Sequence, residues 1–309
     1  MSRRPRIAVA AAGLGALALL LDWALAFHVG FTGTVDRRVL EGFAGLHAGR
    51  IGRVADVVPH LSDPPPFTLF SLLIVGVALA RHRPRLALAA AGVLVGANLC
   101  TQWLQPALAV HRFTGLAAPS HVSLWPSGHA TASMALCLAA VLVAPPRRRP
   151  LVAGLGAAYS LMVTFALLVG AWHFPSDVVA GYLMAGTWTS LVVAVMWARD
   201  ARGRAGARGP ETDVRRAVAP AAFVALAGVV LAVLAALARP AAVEEYARAH
   251  TTFVIGAALL ALFAIALAGG LSAAMTATRR APATGSAPAT GSAPGPTAAP
   301  RRRWPRARG

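Results

Sequence analysis

With 309 residues, 57% of them hydrophobic and only 13% charged, this chain carries apolar runs too long for a soluble globular domain. The net charge of +18 comes entirely from arginine among the 29 basic residues, and these cluster between apolar runs. That placement reads as a topology signal and argues against nucleic acid as a partner. The two cysteines, Cys100 and Cys137, lie inside apolar runs and read as packing residues, which argues against a disulfide framework or a thiolate metal site.

Arg3, Arg4 and Arg6 precede a first apolar run, Ile7 to Phe27, long enough at about 1.5 Å per residue to cross a bilayer core of about 30 Å. Asp22 lies near the far end of this run and reads as an interfacial carboxylate. Between residues 36 and 57 the apolar positions Leu40, Phe43, Leu46, Ile51 and Val54 recur at helical spacing behind Asp36 as a cap. This predicts an amphipathic helix on the membrane surface. Ser62-Asp63-Pro64-Pro65-Pro66 then breaks the chain.

A second span is predicted over about Phe67–Ala80 and a third over about Leu86–Leu104, separated by Arg81-His82-Arg83-Pro84-Arg85. A polar loop, about 105–125, leads to a fourth span that ends near Ala144. The fifth ends near Ala171, and the sixth covers about Val178–Trp197. An Arg-rich linker, 199–216, precedes two further candidates at about Ala217–Leu237 and Thr252–Leu271. These last two lack acidic or histidine residues in their cores and are expected to serve packing or partner contact. The tail, 276–309, is rich in Ala, Pro, Gly, Ser and Arg and is expected to be a disordered basic segment.

The fold class expected is therefore all-α, a polytopic membrane helix bundle of eight spans: a six-span core over 1–198 and two additional helices within 217–275. If the N-terminus is cytoplasmic, 22 of the 29 arginines fall on the cytoplasmic side. The positive-inside rule then puts both termini in the cytoplasm of a plasma-membrane protein. The 105–127 and 172–177 segments face outward.

Two motifs carry the chemistry. Trp125-Pro126-Ser127-Gly128-His129 opens the fourth span, where unpaired backbone N–H groups and the positive end of the helix dipole suit an anion. Ser127 and Gly128 are candidate anion contacts there, and His129 can exchange protons with the bound group. Across the fifth-to-sixth turn, His173 and Asp177 stand four residues apart, so the carboxylate can fix the ring's tautomer and make its other nitrogen more nucleophilic. One span inward and one outward return the chain to the same face, so His129 and His173 can meet. Arg112, in the other outward loop, supplies a fixed positive charge. His60, Asp63 and Asp56 lack a tight ligand pattern, and no metal or cofactor is expected.

Pro126-Ser127-Gly128-His129 together with His173-x-x-x-Asp177 resembles the second and third signatures of the type-2 phosphatidic acid phosphatase superfamily, over roughly residues 10–198. Ala97-Asn98-Leu99 with Thr101-Gln102, and Trp172-His173 with Pro175-Ser176-Asp177, look like actinobacterial members. The resemblance implies a metal-independent hydrolase of lipid phosphates or diphosphates, of the isoprenyl phosphate or phosphatidate class, working through a phosphohistidine. It implies His173 as nucleophile, Asp177 as its orienting partner and His129 as acid and base, with Ser127, Gly128 and Arg112 holding phosphoryl oxygens. The first and third signatures are degenerate. Gln105 stands in the place of the family's Lys, Phe113 in that of its Pro and Leu167 in that of its Arg. Gln105 keeps a donor for the phosphate and Leu167 does not. The alternative expectation is a catalytically weak or inactive member that binds or moves lipid. Partners expected are the bilayer, the lipid substrate and, as a further candidate, a second copy of the chain.

Overall fold

The computed structural model describes residues 3–108, 112–113, 122–203 and 240–277. Among these, the chain forms α1 (Arg3–His28), α2 (Gly30–Ala44), α3 (Gly49–Val57), a 3-10 turn (Val58–Ser62), α4 (Pro64–Ala80) and α5 (Pro84–Ala107). A two-residue antiparallel pair follows, β1 (Arg112–Phe113) with β2 (Val122–Ser123). Then come α6 (Gly128–Val143), α7 (Arg149–Val169), α8 (Pro175–Gly203), α9 (Pro240–Ala249) and α10 (Thr251–Ala277).

Among the described residues, five helices (α1, α5, α7, α8 and α10) are long and apolar enough to cross a membrane, and counting α4 with the segment before its 55° bend as one span raises the number to six at most. A helix satisfies its own backbone groups, so such segments can face hydrocarbon. α6, the fourth predicted span, is a shorter apolar helix of 16 residues, about 24 Å long. It packs against α4, α5, α7, α8 and α10, and most of its side chains are buried in protein. α6 is thus the hub of the bundle, with α1 laid along α8 and α10 along α7 and α2. The seventh predicted span, most of the linker and nearly all of the tail lie outside the described residues.

Small residues let these helices approach closely. A Cβ on Gly156 would lie 2.6 Å from the Cys137 sulfur. One on Gly181 would lie 2.8 Å from the Ala130 side chain and 2.9 Å from Ser127 O and Thr131 N. Short hydroxyl pairs join helices inside the bundle: Thr101 with Thr131 (3.1 Å), Ser133 with Ser160 (3.0 Å) and Thr164 with Tyr182 (2.9 Å).

Three expectations are corrected. The predicted surface helix over 36–57 is two helices, because the chain leaves α2 at Gly45 and re-enters α3 through Gly49 at φ +54°, a left-handed conformation that glycine adopts without a Cβ penalty. Its apolar positions part accordingly: Leu40 and Phe43 enter the core, whereas Ile51 and Val54 are exposed. Asp36 is no helix cap of its own segment, since α2 begins at Gly30 and the carboxylate is buried. Gln105 belongs to the last turn of α5 and not to a loop, the helix continuing through Pro106 to Ala107.

Candidate functional site

The site is built at the end of the bundle where α6 and α8 begin and α5 and α7 end. The arginines of the 81–85 and 147–149 connections lie at the opposite end, where the Arg81 guanidinium donates to Val143 O (2.9 Å) at the C-terminus of α6. Ser127 caps α6, its Oγ accepting from Ala130 N (3.3 Å), and its own carbonyl accepts from the Thr131 hydroxyl (2.9 Å). Ser127 is fully buried. The Gln105 amide donates to Pro126 O (2.8 Å) and is also the nearest group to a Cβ placed on Gly128, at 3.9 Å. The Trp125 indole donates to Asp22 Oδ2 (2.9 Å) on α1, and its ring meets Phe27 edge-on at 6.4 Å. The sequence placed Asp22 at an interface without a partner; in the fold it anchors the motif loop.

The second half of the site is a turn that ends α7 and opens α8. Ala171, at φ +53°, reverses the chain, and Trp172 N donates back to Leu167 O (2.9 Å). The Asp177 carboxylate is fully buried and accepts from Phe174 N (2.9 Å) and from the His173 Nδ1 position (3.3 Å). A carboxylate on Nδ1 leaves Nε2 as the nucleophilic nitrogen of the ring. Asp36 holds this turn from α2: its two oxygens accept from the Ser176 N–H (2.9 Å) and the Ser176 hydroxyl (2.7 Å) at the start of α8. That supplies negative charge where α8 has unpaired donors.

The two halves are tied directly, since Ser127 N donates to the Asp177 carbonyl (3.0 Å), and the Trp172 ring, next to His173 in the chain, meets the His129 imidazole edge-on at 6.1 Å. Gly181 sets the spacing, because any larger residue would push the start of α6 away from α8. His129, His173, Asp177, Ser127, Gly128 and Gln105 thus come together. Arg112 lies on β1, and its side chain is outside the described residues. Leu167 is completely enclosed in the core, so its position offers the site no donor.

The sequence named one participant only within the loose His60, Asp63 and Asp56 group and gave it no part in the site. Asp63, at the bend before α4, bonds His129 Nε2 through Oδ1 (3.0 Å) and His60 Nδ1 through Oδ2 (2.8 Å). Burial pushes its carboxyl up, but the hydrogen bonds and charges of the two histidines outweigh this and hold it below its ordinary value. Asp56 goes elsewhere, to His47 (2.9 Å). Among the described residues no group of three or more His, Cys, Asp or Glu side chains is arranged to hold a metal ion.

Neither the curated proteins nor the solved structures contain a significant match to this chain. A family profile does match: residues 68–201 fit the PAP2 superfamily. That segment holds Gln105, Arg112, the Ser127-Gly128-His129 turn and the His173–Asp177 pair, so the likeness to the PAP2 superfamily falls on the candidate site of this multi-helix membrane protein.

Proposed function

We propose that this protein is an integral membrane phosphatase that hydrolyses a lipid phosphate or diphosphate at the outer membrane face through a phosphohistidine. The observation that carries the reading is the buried His173–Asp177 pair set against the capped N-terminus of α6. Its chemistry balances without a cofactor. The His173 Nε2 lone pair forms an N–P bond as the P–O bond to the lipid breaks, and His129 gives its proton to the leaving oxygen. Water then attacks phosphorus and gives its proton to His129, and the N–P pair returns to His173. The Gly128 N–H, the Ser127 hydroxyl, Gln105 and Arg112 are the groups proposed to meet the phosphoryl oxygens. The lipid substrate class, isoprenyl phosphate or phosphatidate, fits helices whose apolar outer faces need a bilayer around a site at one end. The arginine distribution supports the outward orientation.

The test is phosphate release from a panel of lipid phosphates by purified protein in detergent without added divalent metal. The wild type is expected to turn over, and His173→Ala to lower the rate by about three orders of magnitude or more. Equal release by His173→Ala rules out the phosphohistidine route.

The enclosure of Leu167 and the neutral Gln105 favour one other reading, a catalytically weak member that binds or moves lipid. Absence of release across the whole panel, with lipid binding retained, selects it.

A further inference from the structure

A second histidine–carboxylate pair faces the first. His129 Nε2 bonds Asp63 Oδ1 at 3.0 Å, and the other oxygen of Asp63 is held by His60 Nδ1 at 2.8 Å. Side-chain exposure falls along this chain, from 57% at His60 through 35% at Asp63 to 27% at His129, so it runs from the surface toward the site. The Trp172 ring meets both imidazoles edge-on, His60 at 5.8 Å and His129 at 6.1 Å, and packs them on either side of the carboxylate. Asp63 does not cap α4 through its side chain, so a helix-end role does not account for its placement. Among the described residues no other hydrogen bond engages the His129 ring.

We propose that Asp63 is the positioning residue of His129: it takes the Nε2–H, turns Nδ1 toward the leaving oxygen of the substrate, and is itself braced by His60. This rests on the phosphatase reading and adds the nitrogen that does the work. His129 as imidazolium passes the Nδ1 proton to the leaving oxygen as the P–O bond breaks. It remains a neutral Nε2–H imidazole bound to the Asp63 carboxylate, and Nδ1 then takes the proton of the attacking water. The titratable groups facing His129 are Asp63 and His60 from the turn before α4, and His173, backed by Asp177, from the turn before α8.

Two measurements test this on the full chain in micelles. In the first, nitrogen-15 histidine NMR reads the His129 tautomer, assigned by loss of the signal in His129→Gln. The wild type is expected to hold the proton on Nε2, and Asp63→Leu to give a mixture of tautomers. An unchanged tautomer overturns the proposal whether or not the protein is active.

The second measurement compares octyl phosphate, whose leaving oxygen needs a proton, with 4-nitrophenyl phosphate, whose leaving anion does not. Asp63→Leu is expected to slow phosphoenzyme formation about 10- to 100-fold for the octyl ester, from loss of one charge-assisted hydrogen bond. The nitrophenyl ester should slow by much less, KM should change little for either, and Asp63→Asn should fall between. Equal slowing of both esters, or of neither, overturns it. Wild-type inactivity on both esters counts against the phosphatase reading, and the tautomer result then decides the role of Asp63 by itself.

Discussion

At the scale of single residues, Gln105 is the position where a positive charge can be added to the candidate site. Gln105 sits on the last turn of α5 beside Gly128, where its amide already serves the motif backbone. A lysine there keeps a donor for Pro126 O and adds a cation near the phosphoryl position. Gln105→Lys is therefore expected to lower KM for a lipid phosphate by about tenfold, the scale of one charged hydrogen bond. Unchanged KM would place this residue away from the phosphate. Leu167 behaves differently. It is wholly enclosed, so Leu167→Arg would bury a guanidinium at about 2.5–3.5 kcal/mol and lower the melting temperature in micelles. Recovery of activity by that substitution, without loss of stability, would show that the end of α7 opens toward the site.

At the scale of elements, the geometry of the candidate site depends on how α6 and α8 begin. Three contacts remote in sequence hold those helix starts: Asp22 to Trp125, Asp36 to Ser176, and the Ser127 N–H to the Asp177 carbonyl. Gly181 permits the close approach. Gly181→Ala would thrust a methyl to within 2.9 Å of backbone atoms that cannot yield, and overpacking of that kind costs about 1–3 kcal/mol. Thermal unfolding followed by tryptophan fluorescence should register the loss. Phosphate release should fall with it, because the displaced start of α6 carries His129. A stable variant with full activity would mean the two helices need not touch.

For the whole molecule, the question is what α9 and α10 contribute. Phe253 packs edge-on against Phe43 at 4.8 Å, Tyr246 donates to Gly42 O (2.6 Å), and Arg149 donates to Met275 O (2.9 Å). The helix therefore leans on α2, whose Asp36 steadies the start of α8, while none of its side chains is among the site residues described above. Ending the chain after residue 239 is expected to lower the melting temperature in micelles and leave hydrolysis slower yet detectable. An unchanged melting temperature would deny α10 a packing role.

The sequence by itself determined the membrane class, the positions of the helices α1, α4 to α8 and α10, and the two motifs that carry the family resemblance. Hydrophobic runs and short motifs are local properties, and both survive without knowledge of neighbours. It also put His129 and His173 at one face, by counting spans. It misjudged the surface segment because an apolar spacing does not register a glycine turning through φ +54° within it. Only the tertiary structure decided the partners of the carboxylates. Asp63 reaches His129 across 66 positions, Asp22 reaches Trp125 across 103 and Asp36 reaches Ser176 across 140. No periodicity encodes such pairs, because helix packing selects them: a buried carboxylate must find a donor, and which donor it finds depends on which helices lie side by side.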